Sequence, residues 1–135
     1  MPRRHLSLLE LLIAIALLTM VLLALFGSLF SSDRLRTFTR ERTAAGLRAV
    51  SVIEEVAATP WDALPARSGE TFPVRVETHG GGWELEPPAG QVEPGLVTVV
   101  DAASPDLRQI RVSVRWRSRV GGEGRFEMTT LVARH

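Results

Sequence analysis

The chain contains no cysteine, lysine, asparagine or tyrosine. Without cysteine there is no disulfide staple and no thiolate metal site, and nothing about redox compartment can be read from thiols. All 16 basic residues are arginine, which fits coding bias in a GC-rich genome better than a chemical requirement. Histidine is scarce. His5, His79 and His135 stand in the opening basic stretch, in a glycine turn and at the last position, none of them beside a nucleophile pattern. A phosphate loop, zinc-ligand spacing and an EF-hand loop are also missing. Catalysis, a cofactor and a metal are therefore not expected. The acids Glu84, Glu86, Glu93, Asp101 and Asp106 flank loops and could in principle gather a calcium ion, but their spacing is unspecific.

The formal net charge is +1 and the isoelectric point about 9.0, which invites a nucleic-acid reading. That reading weakens once charges are placed along the chain. Residues 31–135 hold 14 arginines and 14 acids, so the excess lies in the opening residues and long-range attraction to phosphate is weak.

What the chain does have is an apolar run of 25 residues, Leu6 to Phe30, interrupted only by Ser7, Glu10, Thr19, Gly27 and Ser28. As a helix it spans roughly 37 Å at about 1.5 Å per residue, and a bilayer core needs about 20 residues. It is long enough to cross a membrane. An ionised side chain deep in such a span costs about 2.5 to 3.5 kcal/mol, so Glu10, one turn inside the run, needs a reason. It can snorkel to the headgroups and favour the positive end of the helix dipole, or it can find a partner for its charge.

The opening Arg3-Arg4-His5-Leu6-Ser7-Leu8-Leu9-Glu10 resembles the type IV pilin-like superfamily. In that family a short basic leader precedes an apolar residue, a Thr or Ser, two more apolar residues and a Glu fifth in the mature chain. Leu6, Ser7, Leu8, Leu9 and Glu10 fill those places in order. The resemblance implies that a prepilin peptidase cuts between His5 and Leu6, that the Leu6 amine is N-methylated, and that Glu10 meets such an amine when subunits stack. Burying either charge alone is costly, so pairing favours one axial register in a filament.

The sequence departs from the family at His5, where a glycine normally precedes the cleaved bond. Either the peptidase tolerates His5, or the protein stays unprocessed as a single-pass membrane anchor. Proline is absent from the apolar run, where many major pilins carry a kink, and the C-terminal disulfide loop of major pilins is missing. Arginine placement bears on orientation: Arg3 and Arg4 precede the run, and Arg34, Arg36, Arg40, Arg42 and Arg48 follow it. By the positive-inside rule this count places the C-terminal side in the cytoplasm. The resemblance implies the reverse, a bacterial inner-membrane protein with its C-terminal head on the periplasmic side, and that orientation is preferred.

From Asp33 the helical pattern continues, with Ala45, Ala49, Val52, Ile53 and Val56 forming an apolar stripe. Arg40, Arg48, Ser51, Glu54 and Glu55 are read as its solvated side. Pro60 closes the helix, because it biases Thr59 away from helical angles. A heptad coiled coil is disfavoured by Arg42, which interrupts the seam from Leu35 and Phe38, and by Gly46. Beyond Pro60 the period becomes two. Phe72, Val74 and Val76 share one face, Trp83 and Leu85 resume after a glycine turn, and Leu96 to Val100 reads as a buried strand. The clearest strand is Gln109 to Arg119, with Ile110, Val112, Val114 and Trp116 on one face. A turn through Gly121, Gly122 and Gly124 returns it as Phe126, Met128, Thr130 and Val132 in an antiparallel hairpin.

The expected fold is α+β, with a long N-terminal helix packed on a small antiparallel sheet of four to five strands. Its divisions are a basic leader at 1–5, a transmembrane half-helix at 6–30, an amphipathic half-helix at 31–59 and a β head at 60–135. On the opposite face of the clearest strand, Arg111, Arg115 and Arg117 could hold phosphates, as a DNA-uptake subunit would require. They are read instead as a solvated face, with Glu127 pairing across the hairpin to Arg115 or Arg117, since no exposed aromatics interleave with them for base stacking. Nucleic acid is therefore not an expected partner.

The hairpin looks most like that of the I-type minor pseudopilins of type II secretion and the V-type minor pilins. The expected function is structural: a minor pilin or pseudopilin that initiates or caps a filament, with other pilin or pseudopilin subunits and the prepilin peptidase as partners. The alternatives are a DNA-binding minor pilin and an uncleaved anchor.

Overall fold

The computed structural model describes residues 8–134. The first element, α1, runs Leu8–Ala57. No proline occurs between Arg3 and Thr59, so nothing removes a donor from the helical ladder. The helix closes as Pro60 approaches. Ala58 N–H still bonds to the Glu54 carbonyl at 3.0 Å, while Thr59 N–H bonds to Val56 in a tighter turn, also at 3.0 Å. The chain divides into two compact units between Arg36 and Thr37. In the first, α1 is apolar and its large side chains, from Leu8 through Phe30, are exposed around the helix.

The second unit combines the remainder of α1 with a 3-10 segment, Trp61–Arg67, and six strands. The strands are β1 (Thr71–Phe72), β2 (Arg75–Thr78), β3 (Gly81–Glu84), β4 (Gly95–Asp101), β5 (Leu107–Arg117) and β6 (Glu123–Ala133). Four of them form an antiparallel sheet in the order β1-β4-β5-β6, and β2-β3 is a separate hairpin. This is the α+β arrangement expected from the sequence.

The stripe Ala45, Ala49, Val52, Ile53 and Val56 is buried as its spacing required, in one core with Phe72, Val97, Ile110, Val112, Val114 and Trp116. Period two on β5 and period 3.6 on α1 each place one apolar face toward the other, and removing both from water drives the packing. The β5 inner face, Ile110 to Trp116, is fully enclosed. Its neighbours Phe126, Met128 and Val132 on β6 are only partly buried, because β6 has a strand on one side alone.

Two local departures from the alternating pattern have physical causes. The stretch Phe72 to Val76 is not one strand. Pro73 has no N–H to extend a ladder, so Phe72 stays in the main sheet while Val76 joins the hairpin. All three apolar side chains of that stretch are nonetheless buried, and Leu85 N–H bonds to the Val74 carbonyl at 2.8 Å across the break. A helical turn also precedes the strands, with Ala63 and Leu64 N–H groups bonding back to the Pro60 carbonyl at 2.9 and 3.2 Å. Leu64 anchors it in the core, but a segment this short offers too few residues for periodicity to register.

The β5-β6 hairpin depends on glycine twice. Gly121 and Gly122 hold φ of +96° and +89° at the turn, a region that L residues with a Cβ avoid. Gly124, opposite Trp116 in the register, sits against the indole ring. A Cβ there would lie closer than 3.0 Å to ring carbons, a separation that real Cβ atoms do not show.

Candidate functional site

Glu10 lies in the first turn of α1 and is exposed, as are the leucines around it. The helix carrying it is long and apolar enough to cross a membrane, with a mean hydropathy of 2.8 over its most apolar window and none of that window buried within the protein. The expected leader cleavage between His5 and Leu6 and the methylation of Leu6 fall outside the described residues.

The arginine face of β5 is partly neutralised. Arg111 pairs with Glu127 at 3.2 Å, and Arg117 with Glu86 at 3.5 Å. The expected pairing of Glu127 with Arg115 or Arg117 does not occur. The register sets Glu127 opposite Ser113, Arg115 opposite Arg125 and Arg117 opposite Glu123. Glu127 therefore has Arg111 and Arg115 as diagonal neighbours; it takes Arg111 and also bonds Arg125 on its own strand at 2.6 Å. Beyond the end of β5, Arg119 sets its guanidinium over the Trp83 ring, 4.6 Å from the centroid. Of the three arginines of that face, Arg111 and Arg117 are thus each held by a carboxylate.

Among the described residues, Glu41 is a charged group enclosed in the core. It is fully buried, and each carboxyl oxygen accepts a hydrogen bond. Trp116 Nε1–H donates to one at 3.0 Å, and the Arg119 backbone N–H donates to the other at 3.1 Å. Phe38 lies beside the same indole, with ring centroids 6.4 Å apart. Buried polar groups are costly unless bonded, so this contact ties one turn of α1 to the end of β5. The sequence carried a signal for it. Glu41, Ala45 and Ala49 are spaced by four residues and share one helix face, so the stripe read from Ala45 onward extends back to an acid. The core therefore continues through Glu41, and Arg42, which broke the heptad pattern, is exposed.

Beside α1 lies an open groove of about 710 Å³ between Thr43, Leu47 and Ser51 on the helix and Pro73, Arg75 and Val76 on the hairpin side. It contains no pairing of a nucleophile with a base. Among the described residues no three His, Cys, Asp or Glu side chains come together to hold a metal. Two of the loop acids are engaged elsewhere, Asp101 with Arg108 at 3.2 Å and Glu86 with Arg117. Arg67 bridges Glu55 at 2.9 Å and Glu70 at 2.7 Å. The hydrogen bond to Glu55 raises the guanidinium pKa above its already high ordinary value, so this clamp keeps its cation charged at any physiological pH. Compared with models of known families, with curated proteins and with solved structures, the chain matches none.

Proposed function

We propose that the protein is a structural subunit of a pilus or secretion pseudopilus, a minor pilin or pseudopilin held in the bacterial inner membrane by the first half of α1. The observation that carries this reading is the lone carboxylate of Glu10 in the first turn of a helix that is otherwise uncharged through Phe30. The segment has the length and composition of a membrane span, and an acid within it costs free energy that an amine partner offsets. In a filament the carboxylate gains an amine partner supplied by a neighbouring subunit or by its own freed terminus. The amphipathic second half of α1 then serves as the stem on which the sheet is mounted, with the sheet on the periplasmic side.

Two measurements test the reading. Mass spectrometry of the membrane-extracted protein should find a mature N-terminus at methylated Leu6; an intact Met1 to His5 segment would favour a plain anchor. Glu10→Val should insert into membranes at least as well as the wild type yet fail to join filaments with partner subunits. Normal incorporation of that variant would remove the assembly role of the carboxylate.

A further inference from the structure

We propose that Arg34, Arg36, Arg40 and Arg42, the basic stretch of α1 that follows its apolar half, bind the headgroup phosphates of anionic phospholipids at the C-terminal end of the span. The inference rests on insertion of that apolar half into a membrane. It needs neither the filament nor a particular orientation.

The first observation is where the stretch lies. All four arginines are on α1 and all four are exposed. Arg34 stands four residues past Phe30, about 6 Å along a helix, and headgroups add roughly 5 to 7 Å to each side of a bilayer core. Arg36 follows about 3 Å further on. Helix residues two apart are turned by about 200° from one another, so Arg34 and Arg36 reach phosphates on different sides of the axis, and so do Arg40 and Arg42. Every Cα–Cβ bond of a helix tilts toward its N-terminus, here toward the span, and the long arginine stem extends the guanidinium further that way.

The second observation is that the fold leaves these charges without a partner of their own. Six arginines of the second unit, Arg67, Arg75, Arg108, Arg111, Arg117 and Arg125, are held by carboxylates. Among the described residues, none of the four on α1 has such a contact. The only acid between Arg34 and Arg42 is Glu41, and its two oxygens are turned into the core by the Trp116 and Arg119 N–H groups. Packing thus withdraws the acid that would have offset Arg40 and Arg42 in solvent. Asp33, just before the stretch, is exposed and makes no ion pair among the described residues. Four exposed cations therefore stand against one exposed acid between Asp33 and Arg42. A guanidinium meets a phosphate through two parallel N–H donors. A zwitterionic lipid presents that phosphate already offset by its own ammonium, so the anionic headgroup is the favoured occupant. At headgroup depth the stretch faces lipid rather than polymers in solution, and nucleic acid is not its ligand.

The test uses the full-length protein in micelles of a neutral detergent, mixed with equal amounts of phosphatidylglycerol and phosphatidylcholine, with the bound lipid counted by native mass spectrometry. Phosphatidylglycerol should be retained in preference by about tenfold or more, since each arginine at an anionic surface contributes a factor of about five. The variant R34Q/R36Q/R40Q/R42Q should lose the preference, while R111Q/R115Q/R117Q, which removes arginines from β5, should keep it. Circular dichroism of both variants verifies that the fold is kept. Raising salt from about 0.15 M to about 1 M shortens the screening length from about 8 Å to about 3 Å and should weaken the wild-type preference. Equal retention of the two lipids by the wild type, or a preference that survives in the quadruple variant, would overturn the proposal. So would displacement of the lipid by an equal concentration of inorganic phosphate, which would assign the stretch to a soluble anion. Flotation with phosphatidylcholine vesicles separates the two readings. A chain that floats but shows no lipid preference loses this contact alone, whereas one that stays soluble without detergent and does not float loses the membrane anchor and this contact together.

Discussion

Truncating Glu41 should be among the most damaging single changes to the folded unit. Glu41→Ala leaves the Trp116 Nε1–H, which lies on a fully buried side chain, with no acceptor, at about 1 to 3 kcal/mol. The Arg119 N–H is nearer solvent and costs less, because water can reach it. The space vacated by the side chain adds a cavity term of about 1 to 2 kcal/mol. The total is about 2 to 5 kcal/mol. With a urea slope of about 2 kcal/mol per molar, the unfolding midpoint should fall by roughly 1 to 2.5 M, followed by tryptophan fluorescence of the full chain in micelles.

Glu41→Gln separates the hydrogen-bonding term from the cavity. The amide keeps one acceptor and presents a donor to the other N–H, so the loss should be about 1 to 3 kcal/mol with no void. A double-mutant cycle with Trp116→Phe isolates the contact and should give a coupling of about 1 kcal/mol or more. If Glu41→Ala shifts stability by less than about 0.5 kcal/mol, or if the coupling is zero within that margin, the Glu41-Trp116 bond is not what ties α1 to β5.

Other outcomes follow from the same contacts. Gly124→Ala drives a Cβ into the Trp116 ring and should cost about 2 kcal/mol or more through overpacking, whereas Gly122→Ala, at φ +89° in open space, should cost about 1 to 2 kcal/mol for backbone strain alone; thermal melts of both variants compare the two causes. Arg111→Gln removes an exposed ion pair with Glu127 and should change stability by less than about 1 kcal/mol. Fluorescence anisotropy at low salt should find no salt-sensitive binding of single-stranded DNA by the protein, and binding lost in the triple variant Arg111→Gln, Arg115→Gln, Arg117→Gln would revive the nucleic-acid reading.

The elements whose period extends over several repeats could be read without coordinates. The five-residue stripe on α1 and the inward face of β5 were legible because a helix and a strand repeat every 3.6 and 2 residues, and hydrophobic burial enforces that repeat. The 3-10 turn at Trp61–Arg67 and the break at Pro73 were not legible in the same way. Each is a local matter of a few residues, settled by where Leu64 and Val74 could reach the core.

Of the candidate site, sequence alone determined the apolar run and the single acid within it, because bilayer thickness and the cost of a buried charge are properties of length and composition. Which arginine Glu127 pairs with, which strand is left open as an edge, and that Glu41 is a core residue were decided only by the tertiary structure. Register, strand order and the approach of α1 to β5 bring together residues far apart in the chain, Glu41 and Trp116 above all. No local pattern encodes such a distance, since it is set by the packing of whole faces against one another.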